Sequence, residues 1–313
     1  MAKNLTVSVS PHLHDGITTQ TIMRDVLIAL APAVIASVVF FGVRALLVEA
    51  VCVAVAILCE WAFEKICKRP VTVSDLSAAV TGLLLALNLP SGIPLWQAAF
   101  GAFVAIVLVK QMFGGIGYNF ANPAITARVI MLVAFSGTMT SWVVPSFVDA
   151  VSSATPLAIL KAGEGELPTL LEMFLGARGG SLGETSCLAG DHLALLLGGI
   201  YLIARKVITW HTPVAFIGTV LVLTALLGQQ PLYQVMAGGL FIGAFFMATD
   251  YTTSPPTPAG KIIFGVGCGL ITTAIRVWGN YPEGVSFSIL LMNILNPYIC
   301  VWTQPKPLGG VKE

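Results

Sequence analysis

The amino-acid sequence predicts an all-α integral membrane protein of about ten transmembrane helices. Three observations carry that prediction. Charged residues are only 10% of the 313-residue chain and hydrophobic ones 56%, against roughly 25% and 45–50% in soluble domains. So few polar side chains cannot cover a soluble surface, and the mean hydropathy of +0.88 agrees. The apolar residues fall in blocks close to the roughly 20 residues that a helix needs to cross a bilayer. Lysine and arginine are also unevenly shared between alternate loops.

The blocks, in order, are 22–42, 45–64, 74–89, 95–113, 122–136, 190–204, 210–227, 232–249, 260–278 and 284–302. The third, fifth and sixth are short, and short spans broken by Gly, Pro and polar residues tend to line a site rather than face lipid. With the N-terminus inside, eleven of the sixteen basic residues fall on the inner side: Lys3, Arg24, Lys65, Lys68, Arg69, Lys110, Arg205, Lys206, Lys261, Lys306 and Lys312. Four fall outside (Arg44, Lys161, Arg178 and Arg276), and Arg128 lies within the fifth span. Cationic loops favour the cytoplasm, so both tails, 1–21 and 303–313, are expected there, and the long loop 137–189 outside. All six Trp fall near span ends, where aromatic belts form. The whole chain, 1–313, reads as one membrane domain.

Several classes are excluded. A net charge of +1 provides no basic stripe for nucleic acid. Cysteines 52, 59, 67, 187, 268 and 300 never stand at C-x-x-C spacing, so no metal site is expected. His12, His14, His192 and His211 are peripheral and suggest no haem pair. A polar segment without a small-residue cleavage site precedes the first apolar block, so no signal peptide is expected. Glu49 and Glu60 flank the second span and are expected to be solvated, while Asp75 and Asp250 at span boundaries could border a cation path.

The halves resemble each other. Spans three and eight each end in a polar residue and a Pro-rich turn, N-L-P-S-G-I-P from Asn88 and D-Y-T-T-S-P-P-T-P from Asp250. An offset of five spans implies opposite orientation, hence two inverted five-helix repeats. A second pairing, N-F-A-N-P at 119–123 with N-I-L-N-P at 293–297, places both copies near the inner face, which an inverted repeat does not.

The outer loop carries five of the fifteen acidic residues, and short helices are expected near 156–162 and 168–176. It contains D-A-V-S-S-A-T-P-L from Asp149 to Leu157. On its face this is a helix start, with Thr155 as N-cap and Pro156 as first helical residue. The same geometry suits a phosphorylated hydroxyl, because an anion at an N-cap meets free N–H groups and the positive end of the helix dipole. Ser152, Ser153 and Ala154 are small enough to let a modifying enzyme reach Thr155.

The D-x-x-S-x-A-T string resembles the flavinylation motif of bacterial redox-driven ion pumps, with Ser153 where that family has Gly. G-G-I-G-Y-N-F-A-N-P-A-I-T-A-R (114–128), G-S-L-G-E-T-S (180–186), T-D-Y-T-T-S-P (249–255) and E-G-V-S-F-S-I-L-L-M-N (283–293) extend the resemblance over nearly the whole chain. Together they are similar to the RnfD/NqrB family, and the lack of a long N-terminal extension favours the Rnf branch over the sodium-pumping NADH:quinone reductase branch.

The resemblance implies FMN joined to Thr155 through a phosphodiester bond by a flavin transferase. Ser152, Ser153, Ala154, Gly183, Glu184, Thr185, Ser186 and Arg128 are candidates for the FMN pocket, with capping of the sixth span the lesser alternative for Glu184 and Ser186. It also implies a second, noncovalent riboflavin nearer the cytoplasm, for which Asn119, Asn122, Asn293, Asn296 and Asp250 are candidates. Those Asn could equally satisfy backbone groups freed by Pro123 and Pro297. The expected role is an electron-relay subunit of an ion-translocating ferredoxin:NAD oxidoreductase in the bacterial cytoplasmic membrane, exporting sodium or protons. The NADH and ferredoxin sites then lie on other subunits, and the expected partners are RnfA, RnfB, RnfC, RnfE and RnfG. A quinone-reductase subunit and a solute channel or secondary transporter are the alternatives.

Overall fold

The computed structural model describes residues 17–143, 156–162, 180–183, 191–279, 281 and 283–305. Among them there are helices and no strand, only an isolated bridge between Pro90 and Ser181. Four helices are long and apolar enough to cross a membrane: α1 (Thr19–Phe41), α2 (Val43–Ile66), α12 (Pro258–Trp278) and α13 (Val285–Trp302). Shorter apolar helices stand between them: α3 (Ser77–Leu87), α4 (Leu95–Gln111), α5 (Pro123–Ala134), α8 (Asp191–Ala204) and α9 (His211–Leu226). The remaining pieces are α6 (Ser136–Met139), α7 (Pro156–Ala162), α10 (Pro231–Met236) and α11 (Leu240–Ile242, continued by a π-helical turn over Gly243–Met247). Each of the ten apolar blocks is therefore helical. The expected helix near 156–162 is α7, and the one near 168–176 lies outside the described residues.

Local chemistry sets the boundaries. Thr18, Asn122 and Thr257 cap α1, α5 and α12 with side-chain oxygens that accept from backbone N–H groups. Pro123 and Pro258 follow as first helical residues, where the missing N–H costs nothing. Gly42, with φ 67°, makes the tight turn from α1 into α2. The eighth block is the departure from expectation. Ala237 is extended (φ −103°, ψ 145°) and Gly238 has φ 78°, so the segment breaks into α10 and α11 rather than running as one helix. Helix α4 also loosens into π-helical turns from Val104.

Glycines allow the helices to approach closely. A Cβ on Gly82 of α3 would lie 2.8 Å from the Cys52 carbonyl of α2, and one on Gly265 of α12 would lie 2.8 Å from the Thr212 carbonyl of α9. Gly198 of α8 likewise abuts the Ala29 carbonyl of α1. Small residues at such crossings replace the hydrophobic drive that lipid cannot supply.

The connections meet in two groups. One surrounds a cavity bordered by Thr19, Ser77, Gly117, Val207 and Tyr251. In the other, Arg44 donates to the Ile93 carbonyl (2.8 Å), the Leu182 N–H to the Leu89 carbonyl (3.0 Å), and Lys161 to the carbonyls of Gly279 and Tyr281.

Two expectations about charge are corrected. Glu49 and Glu60 are not solvated: they are 3% and 0% exposed, because α2 turns both toward its neighbours. Glu49 accepts from Ser37 of α1, and Glu60 accepts from Lys110 and Gln111 of α4. Lys110 and Arg276, counted among loop cations, are buried as well.

Candidate functional site

A cavity of about 350 Å³ opens among the helices, within the size range of small-molecule sites. Apolar walls come from α1 (Ile22, Met23, Val26), α3 (Val80, Leu84), α8 (Leu202) and α11 (Phe245, Phe246). Its polar rim comes from Asn119, Asn122, Lys110, Ser77, and the turn Thr249–Asp250–Tyr251–Thr252.

Candidate asparagines from two distant segments meet beside the cavity: Asn119 and Asn122 before α5, and Asn293 of α13. Asn122 uses Oδ1 to cap α5, accepting from Ala124 N (3.1 Å) and Ile125 N (3.3 Å), and its Nδ2 donates to the Met247 carbonyl (3.3 Å). The Asn293 amide donates to the Thr253 carbonyl (3.1 Å) and accepts from Asn122 N (3.0 Å). Asn119 donates to the Ala121 carbonyl (3.1 Å) and hydrogen-bonds Asp250. The two N-x-x-N-P segments thus meet in the folded chain. Asn293 supports the rim from behind without lining the cavity, while Asn296 stands a turn further along α13 and accepts from Cys300 Sγ (3.4 Å).

Asp250 lies beyond the end of α11 and borders the cavity. Burial pushes its carboxyl above the usual range, opposed by hydrogen bonds from Thr253, the Thr252 and Tyr251 N–H groups and Asn119.

Arg128, two turns into α5, is 5% exposed and faces protein. Its Nη1 donates to Asn88 Oδ1 and Ser286 Oγ, each at 3.0 Å, and its Nη2 pairs with Glu283. Asn88 ends α3, and a Cβ on Gly239 in the break between α10 and α11 would lie 3.7 Å from Arg128 Nη1. Both interrupted segments therefore end at this guanidinium.

Of the outer-loop candidates, Gly183 is described. Its N–H donates to the Leu87 carbonyl (2.7 Å), and the space a Cβ would fill is taken by Leu87. Thr155, Ser152, Ser153, Ala154, Glu184, Thr185 and Ser186 lie outside the described residues. Helix α7 does begin at Pro156, the predicted first helical position, and Leu157 packs with Tyr233, Met236 and Ala237 beside the α10–α11 break.

Sequence reasoning did not select Lys110, Glu60, Ser77, Asn88, Glu283 or Ser286. For Lys110 and Glu60 the signal was present, since each lies inside an apolar block where an ionisable residue is functional by default. Among the described residues no group of three His, Cys, Asp or Glu could hold a metal ion.

Residues 6–309 match the model of the NQR2, RnfD, RnfE family. The sequence is 47% identical to the D subunit of the sodium-translocating ferredoxin:NAD oxidoreductase complex of Acetobacterium woodii, over 99% of this chain and 96% of the relative. It is 44% identical to the proton-translocating counterpart of Clostridium ljungdahlii, over 98% and 97%. It is 36% identical to the D subunit of the ion-translocating oxidoreductase complex of Actinobacillus succinogenes, over 96% of each chain.

Proposed function

The chain belongs to the NQR2, RnfD, RnfE family, and from that membership we propose that it is the membrane electron-relay subunit of an ion-translocating ferredoxin:NAD oxidoreductase. It is a multi-pass bacterial membrane protein. In this reading it carries FMN on Thr155 and riboflavin in the cavity, and works with other subunits that hold the NADH and ferredoxin sites and couple the reaction to sodium or proton export. A dedicated flavin transferase loads Thr155.

The single observation that carries the riboflavin part of the reading is the cavity: about 350 Å³, walled by apolar side chains, with amide side chains and a turn of backbone among its polar lining. That combination fits an isoalloxazine, whose body is flat and apolar and whose pyrimidine edge alternates donors and acceptors. When bound, a flavin supplies one- and two-electron chemistry that no side chain here offers. Asn122 presents its second N–H to the edge, the first donating to Met247 and its oxygen accepting from Ala124 and Ile125, and Asn119 presents its oxygen, its N–H groups serving Ala121 and Asp250. Asn293 holds Asn122 and the Thr253 backbone in register. The phenyl rings of Phe245 and Phe246 and the side chains of Val80 and Leu84 exclude water.

The orientation proposed for the chain follows from the same grouping of loops. The connections around the cavity include those bearing Lys68, Arg69 and Lys206, which favours the cytoplasmic side. The segment bearing Thr155 then lies outside, where α7 packs beside the break between α10 and α11. Ten spans in two inverted halves suit this arrangement: α2 packs on α3 as α9 packs on α10, and α2 on α4 as α9 on α12.

Acid denaturation releases noncovalent flavin and leaves covalent flavin on the polypeptide. The purified wild-type chain is expected to release one flavin. Thr81→Trp, which fills the cavity, and Asn119→Leu are expected to release none. Retention of releasable flavin in both variants would refute the cavity as its site.

A further inference from the structure

The cavity wall holds an ion pair that amide recognition does not use. Glu60 of α2 is fully buried and Lys110 of α4 is 3% exposed. Lys110 Nζ donates to Glu60 Oε1 and to Ser77 Oγ, each at 2.5 Å, and Gln111 Nε2 donates to the same Glu60 oxygen at 2.7 Å. Ser77 Oγ donates in turn to Asp75 Oδ1 at 2.5 Å. The second Glu60 oxygen, Oε2, is buried with no partner.

Burying two ions costs several kcal/mol each before their attraction is counted, and apolar residues of similar volume often serve stability as well or better. An intramembrane ion pair that is kept is therefore expected to do something beyond holding helices together. Geometry indicates what. An ammonium has three N–H groups, and Glu60 and Ser77 take two of them. Lys110 and Ser77 both line the cavity. The positive charge is thus at the cavity surface, whereas Glu60, which compensates it, is not among the lining residues.

We propose that Lys110 is the charge that stabilises the reduced, negatively charged form of the flavin in this cavity, and that Glu60 is the positioning residue that holds its ammonium against the cavity. The proposal rests on reading the cavity as a flavin site and deepens it. The balance is simple: two electrons and one proton convert the oxidised ring system to its singly negative reduced form. The electrons come from the preceding carrier of the relay, and the proton from water. No proton leaves the protein, and no protein bond is made or broken. Lys110 therefore shifts the potential by lowering the energy of the reduced form more than that of the neutral oxidised form.

The test uses the full-length chain produced without the flavin transferase, so that releasable flavin is the only flavin present. Its midpoint potential is measured by optical titration with dithionite. Lys110→Met is expected to keep flavin and to lose at least tenfold of the preference for reduced over oxidised flavin, about 30 mV for a two-electron couple. Glu60→Gln removes the carboxylate that holds the ammonium in place and is expected to shift the potential the same way as Lys110→Met, by a smaller amount. Lys110→Arg is expected to stay near wild type. An unchanged potential in flavin-loaded Lys110→Met overturns the proposal, and so does a Lys110→Arg variant that shifts as far as Lys110→Met, since the positive charge is then not what sets the potential. If Lys110→Met fails to fold, a downward shift in Glu60→Gln with Lys110→Arg near wild type supports the proposal, and an unshifted Glu60→Gln overturns it. Wild-type chain without releasable flavin removes the cavity reading itself and this proposal with it, an outcome distinct from a loaded cavity whose potential does not move.

Discussion

Arg128 shows how a single side chain can hold two broken helices. Its guanidinium is 5% exposed and spends its donors on Asn88 at the end of α3, Ser286 on α13 and the Glu283 carboxylate. Removing one partner of a buried pair leaves the other charged and desolvated, which costs about 3–5 kcal/mol. Arg128→Met is therefore expected to lower the detergent-solubilised melting temperature sharply, and Arg128→Met with Glu283→Gln to recover part of the loss. A double variant no better than the single one would show that the pair is not coupled. The sequence places Arg128 facing protein because an arginine two turns into an apolar helix has nowhere else to go. It does not name Asn88, Glu283 or Ser286 as partners, since their separations of 40, 155 and 158 residues leave no local trace.

Among the elements, the apolar blocks are legible to within a few residues because caps and turns are local chemistry: Thr18, Gly42, Asn122–Pro123 and Thr257–Pro258 each stand at a boundary. The break in the eighth block is less legible, since Ala237-Gly238-Gly239 sits inside an otherwise continuous apolar run and the extended Ala237 is set by tertiary packing. Burial of Glu49 and Glu60 escapes the sequence for a similar reason: composition reveals that α2 is apolar but not which faces meet α1 and α4. The glycines at close crossings make their own prediction. On α12, a Cβ at Gly269 would lie 2.6 Å from Thr219 Cβ and 3.1 Å from the Phe216 carbonyl of α9. Gly269→Leu must push these helices apart, an overpacking cost of about 1–3 kcal/mol. Gly218, on α9 with nothing within 4 Å of its Cβ position, is the control. Gly269→Leu is expected to melt below wild type while Gly218→Leu does not, and equal melting temperatures would contradict the close-packed α9–α12 contact.

At the scale of the whole molecule, the proposed relay runs across the bilayer, from Thr155 outside to the cavity near the cytoplasm. The orientation predicts that a single-Cys protein retaining Cys187 reacts with a membrane-impermeant maleimide in cells whose outer barrier is permeabilised. Labelling confined to inverted vesicles would reverse the topology. The central claim, that this chain bears a covalent flavin and is not a transporter built on a similar helical plan, rests on D-x-x-S-x-A-T at 149–155 and the helix that begins at Pro156. Ser and Asp cap helices about as well as Thr, so folding and modification can be separated at this position. Protein from a host that expresses the flavin transferase is denatured, run on a gel and viewed under ultraviolet light. Wild type is expected to fluoresce, while Thr155→Asp is expected to insert and assemble normally, remain dark, and lose ferredoxin-driven NAD reduction. A dark wild-type band, or a Thr155→Asp variant that still fluoresces or works like wild type, would contradict the account.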